Sequence, residues 1–296
     1  MAKIDRPKVS AGRSQRATST PPVTEGQRVL FVGHSLHLFI VRPLITLAKE
    51  AGITDHRVVG WDMISRSTPM QHWERRGRDN KVKQMLRTGT IDVLTLAAAR
   101  WARRRLVRMP EPGIDLFADL AVEHNPGVRL MVQQSWSDSV SAMALGPRRS
   151  EKLPTNKTRD AATAAEIARY RRDSASHLRK LREQIIGIND RHGRQLAHLV
   201  PVNEVVLRLR ESVLAGALPG VKVQSRLFRD PQGHGTQPTL DCVTYAWFAA
   251  LYRRSPVGIK ALVNPQDADA AAQHRVLQEV AWNAVLDEPL SGLEEA

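Results

Sequence analysis

Cysteine is all but missing from this sequence: Cys242 is the only one in 296 residues. A disulfide framework and a cysteine-built zinc site are thereby excluded. The ten histidines show no HExxH or comparable ligand spacing, so no metal is expected. There is no P-loop and no GxGxxG, so no nucleotide cofactor is expected either. No apolar run reaches the roughly 18 residues that a transmembrane helix needs. Aromatic residues are scarce, at 5%. A chain of this length still buries about three quarters of its unfolded surface in one core, so it needs no covalent staple.

Acidic residues are in short supply relative to basic ones: 30 Asp and Glu stand against 44 Lys and Arg, a net charge of +14. The excess is clustered. Residues 75–108 hold eleven Lys and Arg but only Asp79 and Asp92, a net +9. Such a concentration suits a polyanionic partner, although an Arg-rich solvated surface has the same composition. No helix-turn-helix, RRM or KH signature accompanies it, so nucleic acid is not the expected partner.

Residues 1–26 are polar, rich in Ser, Thr, Pro, Lys and Arg, and read as a disordered tail rather than a secretory signal. The compartment stays open between the cytoplasm and the mature form of an exported protein, and nothing fixes the oligomeric state. From Arg28 the chain alternates. Arg28–Gly33 is a short apolar run ended by glycine, as in a strand buried on both faces. A helix follows to Gly52, with Leu44, Leu47, Ala48 and Ala51 at helical spacing. Further strands are expected at His56–Met63, Ile91–Leu96, Val128–Val132 and Leu196–Val202. Helices are expected at Ile114–His124, Ala161–His192, Asn203–Gly216, Gln237–Arg254 and Asp267–Leu286, with a long loop from Ser135 to Asp160. This pattern predicts a three-layer α/β/α domain around a parallel sheet of about five strands, spanning 27–260, with a helical extension over 261–296.

Sites in such sheets form at the carboxyl ends of the strands. After the first strand comes Gly33-His34-Ser35-Leu36, which puts a serine hydroxyl on a tight turn at that edge. Ser35 there is either a nucleophile or a helix N-cap. Near the other end, Asp230 and His234 share the turn-rich loop Leu227–Pro238. A carboxylate and an imidazole so close can meet locally, leaving the second ring nitrogen for a serine. His37 is a further candidate for this edge, or a packed histidine. Asp241 is an alternative acid.

With these residues the sequence resembles the SGNH hydrolase superfamily, the GDSL-type lipases and esterases. Gly33-His34-Ser35-Leu36 is similar to that family's first block, with His34 where its name-giving Asp would stand. Asp230 and His234 are similar to the last block, with three intervening residues (Pro231, Gln232, Gly233) instead of the usual two. The resemblance covers roughly residues 27–258. It implies a flavodoxin-like sheet and ester hydrolysis through an acyl-enzyme on Ser35, with His234 as base and Asp230 as its orienter. It also implies an oxyanion hole. The stretch Ile64–Pro69 occupies the place of the family's second block without its glycine, which leaves a backbone N–H of Ser65 or Arg66 as donor. Arg100 stands near the place of the third block's asparagine. Losing one such donor costs about 10²–10³ in turnover. Either Arg100 substitutes for it, or the enzyme is slow, or the chain is a binding module for a polyanion.

Gln133, Gln134, Ser135 and Trp136 follow the fourth strand, so Gln134 and Trp136 are candidate substrate contacts. Trp73, Trp101 and Trp136 lie among the basic connections, and flat rings beside cations suit sugars. The expected substrate is an ester, with a polyanionic carbohydrate as its carrier. Asn156-Lys157-Thr158 matches a glycosylation acceptor, a triplet common by chance.

Overall fold

A computed structural model describes residues 18–76, 80–99, 109–137, 154–264, 266 and 269–294. Five strands form one sheet: β1 (Arg28–Gly33), β2 (Arg57–Met63), β3 (Val93–Ala97), β4 (Arg129–Gln133) and β5 (Ala197–Val200). Every pairing is parallel, in the order β2-β1-β3-β4-β5. The helices are α1 (Val41–Glu50), α2 (Pro69–Trp73), α3 (Lys81–Leu86), α4 (Pro112–His124), α5 (Asn156–Asp160), α6 (Ala164–His192), α7 (Val202–Leu214), α8 (Gln237–Tyr252) and α9 (Ala270–Leu286).

Successive side chains of a strand point to opposite faces, and the core obeys this. Val29 and Phe31 of β1 join one apolar cluster with Leu44 and Leu47 of α1, Leu209 of α7 and Val285 of α9. Leu30 and Val32 join the other, with Leu86 of α3, Phe117 of α4 and Ile185 of α6. The result is three layers, the α/β/α sandwich expected from the alternation. Helix α8 is apolar nearly all round, and every residue from Cys242 to Tyr252 is buried. It fills the space between the sheet and α7 and α9. Strand order reverses between β1 and β3, and the carboxyl ends of those strands are where sites form in such sheets. Ser35 follows β1 directly.

Three short helices were not expected. Thr68 and Asn80 cap α2 and α3 between β2 and β3. Helix α5 lies within the stretch expected to be a loop, and Thr163, which caps α6 through Glu166, separates it from the long helix. The expectation of a disordered tail over 1–26 also needs correcting for residues 18–26. Ser19 N donates to Glu294 O at 3.0 Å, Val23 N to Tyr252 O at 2.9 Å and Gly26 N to Asp55 Oδ1 at 2.7 Å. Among the described residues, no helix is long and apolar enough to cross a membrane.

Candidate active site

The turn after β1 closes through His34 O, which accepts from His37 N at 2.9 Å and Leu38 N at 3.1 Å. This leaves Ser35 exposed at the crest. Its Oγ lies 2.8 Å from His234 Nε2, across 199 residues of sequence. His234 Nδ1 lies 2.6 Å from Asp230 Oδ2. An ionised carboxylate only accepts, so Nδ1 carries the proton and Nε2 is left to accept from the serine hydroxyl. Asp230 Oδ1 also accepts from the backbone N–H groups of Gln232 (3.0 Å) and His234 (3.1 Å). Burial opposes the Asp230 charge, but these bonds and the His234 ring outweigh it and hold the carboxyl below its ordinary value.

The loop that carries Asp230 and His234 is tied down at several points. Gly233 N donates to Asp230 O at 3.1 Å, and Gly233 takes φ 81°, a left-handed conformation that costs glycine nothing. The extra residue between Asp230 and His234 is absorbed in this turn. Arg229 N donates to His234 O at 2.9 Å, and Phe228 bridges to Gly235. From outside the loop, Trp136 Nε1 donates to Gly233 O at 2.9 Å and Arg159 Nη2 to Asp230 O at 2.6 Å.

Ser65 and Arg66 sit in the turn after β2, exposed and one strand away from Ser35. Ile64 N donates to Gly33 O at 3.1 Å, which joins this turn to the end of β1. Ser67 N closes it onto Ile64 O at 3.3 Å. Arg66 has φ 57°, a backbone region that favours the glycine the sequence lacks there. Arg100 and Trp101 lie outside the described residues. Just before them, Ala99 N donates to Glu111 Oε2 at 3.4 Å. Glu111 is almost wholly buried, and that burial pushes its carboxyl up to about 7.

One expected substrate contact takes another role. Trp136 has no exposed surface: it packs edge-on against Phe39 and holds Gly233, so its ring offers no face to a sugar. Gln134 is buried, with its backbone bonded to Val200 O and Asn203 N, and among the described residues its side-chain amide meets no hydrogen-bond partner. Trp73 packs on Phe117 in a T-shaped contact and carries Lys83 Nζ 3.7 Å above its ring. His37 is the packed histidine of the two alternatives. Its Nδ1 meets Gln133 Oε1 at 3.1 Å and its Nε2 meets Thr95 Oγ1 at 2.8 Å. Burial, with a smaller push from His72, drops it to about 4. Asp241 accepts from Gln237 Nε2 at 2.8 Å and faces His274, not His234.

Sequence reasoning missed Glu111 and a largely buried group of Asp62, Ser67 and His72, and took Arg159 only as one of the basic residues near this face. Only Asp62 carried a signal, its place at the end of a strand. Among the described residues, no group of three or more His, Cys, Asp or Glu could hold a metal ion.

No protein-family model matches the sequence, and no curated protein matches it at a significant level. Solved structures do. A DUF4886 family protein from Bacteroides uniformis is 14% identical, with a TM-score of 0.56 over 88% of this chain and 95% of its own. A proposed SGNH hydrolase from Slackia heliotrinireducens is 12% identical, with a TM-score of 0.43 over 77% of this chain and all of its own. The periplasmic domain of a lipopolysaccharide acetyltransferase from Salmonella ser. Paratyphi A is 11% identical, with a TM-score of 0.38 over 74% and 81%. At such identities the likeness speaks to architecture alone. With the parallel sheet described above, it makes this chain a three-layer α/β/α protein that shares the architecture of the DUF4886 family protein.

Proposed function

We propose that the protein is a serine hydrolase that cleaves an ester through an acyl-enzyme on Ser35. The observation that carries this reading is the chain of hydrogen bonds Ser35–His234–Asp230, with its serine exposed and its acid and histidine both half-buried. Ser35 Oγ attacks the carbonyl carbon as its proton passes to His234 Nε2. Asp230 keeps the ring in the required tautomer and stabilises the imidazolium. The tetrahedral intermediate collapses, and His234 returns the proton to the departing alcohol. Water then enters by the same route and frees the acid. The backbone N–H groups of the Ser65–Arg66 turn are the oxyanion donors in this scheme.

A polyanionic carbohydrate remains the proposed carrier of the ester on the strength of charge, since Trp136 offers it no ring face. Binding that does not weaken as salt rises would remove that support. The rival is a polyanion-binding module without turnover, favoured by the missing asparagine. Labelling with a fluorophosphonate probe separates the two. One adduct on Ser35, absent from Ser35→Ala and His234→Ala, supports the hydrolase. No adduct on a folded wild-type protein supports the module.

A further inference from the structure

A second serine–histidine–aspartate chain lies inside the protein, below the Ser65–Arg66 turn. Asp62, the penultimate residue of β2, accepts from His72 Nδ1 at 2.5 Å, and His72 Nε2 lies 2.8 Å from Ser67 Oγ. Order and distances match those at Ser35, yet Ser67 and His72 are 2% and 1% exposed. No substrate reaches Ser67, so this chain does not perform acyl transfer. We propose that Asp62, His72 and Ser67 are positioning residues, which hold the Ser65–Arg66 turn in the conformation that presents its N–H groups to the oxyanion. The inference rests on the hydrolase reading.

Arg66 is the strained point of this turn. A residue with a Cβ held at φ 57° is strained and persists only where its surroundings impose the conformation. On the Gly33 side, the turn is fixed by Ile64 N on Gly33 O. On the other side, the next residue is fixed through Ser67 Oγ, which bonds to His72. With Nδ1–H donated to Asp62, the neutral ring can only accept at Nε2, so the Ser67 hydroxyl donates and has one direction to point.

His72 is itself fixed on every side. Arg75 Nη1 holds the second oxygen of Asp62 at 2.7 Å. Asn80 Nδ2 caps the end of α2 on the carbonyls of His72, Trp73 and Arg75 at 3.0–3.1 Å. Helix α2 is pressed onto α4, where a Cβ on Gly113 would stand 2.3 Å from Met70 N. The groups that face the His72 ring are Asp62, Arg75, His37 and the Gly33 carbonyl. Burial is the leading influence and lowers the ring's affinity for a proton, which favours the neutral form the arrangement needs.

The test compares fluorophosphonate labelling of Ser35, and p-nitrophenyl acetate hydrolysis, in wild type, Ser67→Ala, His72→Asn and Ser67→Ala/Arg66→Gly. Glycine keeps the N–H and adopts positive φ without strain, so the double variant separates positioning from general damage. Expected are a fall of about 10–100-fold in labelling rate and kcat for Ser67→Ala, with KM unchanged and the melting midpoint near wild type, and recovery of most of the loss by Arg66→Gly. Wild-type rates in Ser67→Ala and His72→Asn would overturn the positioning role alone. So would a slow Ser67→Ala that Arg66→Gly fails to restore. A folded wild type with no adduct on Ser35 would overturn the hydrolase reading and this inference together.

Discussion

Arg159 donates to the backbone carbonyl of Asp230 at 2.6 Å, across 71 residues of sequence. The guanidinium is buried, lies 5.1 Å from the centre of the Phe228 ring, and is carried by the short helix α5. Next to it, Asp160 accepts from Ser225 N at 2.6 Å and from Ser225 Oγ at 2.8 Å. Helix α5 therefore clamps the histidine loop at both ends of its approach. A charge-assisted bond of this kind contributes about 1.5–3 kcal/mol. Arg159→Ala should lower stability by about that amount in urea titration and slow Ser35 labelling. Arg159→Lys, which keeps a cation but loses the planar fork, should fall between.

Asp230→Asn tests the orienting role at almost constant shape. An amide can present its nitrogen to His234 Nδ1, which then accepts and leaves the proton on Nε2, facing Ser35. The expected loss is about 10³–10⁴ in kcat for an activated ester, with far-UV circular dichroism unchanged. A loss below about 10-fold would mean that His234 needs no acid partner.

Four strands were legible because burial on both faces makes them read as short apolar runs, while β2 is a half-exposed edge strand, and all five fell within a few residues of the expected positions. The short helices α2, α3 and α5 were not. Five or six residues carry too little periodicity to register, and tertiary contacts such as Asn80 capping α2 hold them. Ser35, Asp230 and His234 stood out as residues at a strand end and on one loop. The Asp62–His72–Ser67 chain did not, because nothing local says that a histidine ten residues after a strand-end aspartate turns back toward it. Trp136 was misread for a related reason. A tryptophan among arginines has the composition of a sugar platform, but its partners, Phe39 and the Gly233 carbonyl, lie far away in sequence.

Burial of four histidines sets the acid limb of stability. His37, His56 and His177 are each lowered to about 4, and His198 to about 3, with desolvation as the main cause in all four. The unfolded chain takes up protons on them near 6.5, while the folded chain does not. Their stabilising contribution is present above about pH 6.5 and is lost as pH falls toward 4. Glu111 and Asp241, each raised by burial to about 7, pull the other way over the same range. Four groups outweigh two, so urea stability should rise between pH 5 and 6.5. A flat profile there would show that the histidines are not held neutral.

Glu111→Gln isolates one of the opposing groups. In the unfolded chain this carboxyl ionises near 4.5, but in the folded protein it stays protonated up to about 7. The unfolded state therefore binds fewer protons between those values, and stability falls as pH rises through that window. Glutamine has the shape of the protonated acid and keeps a carbonyl oxygen to accept from Ala99 N, but it cannot ionise. The variant should match wild type at pH 4.5 and exceed it at pH 8, with the difference opening between those values. If the two curves run parallel throughout, the Glu111 carboxyl ionises in the folded protein as it does in water, and the end of β3 rests on a charged group.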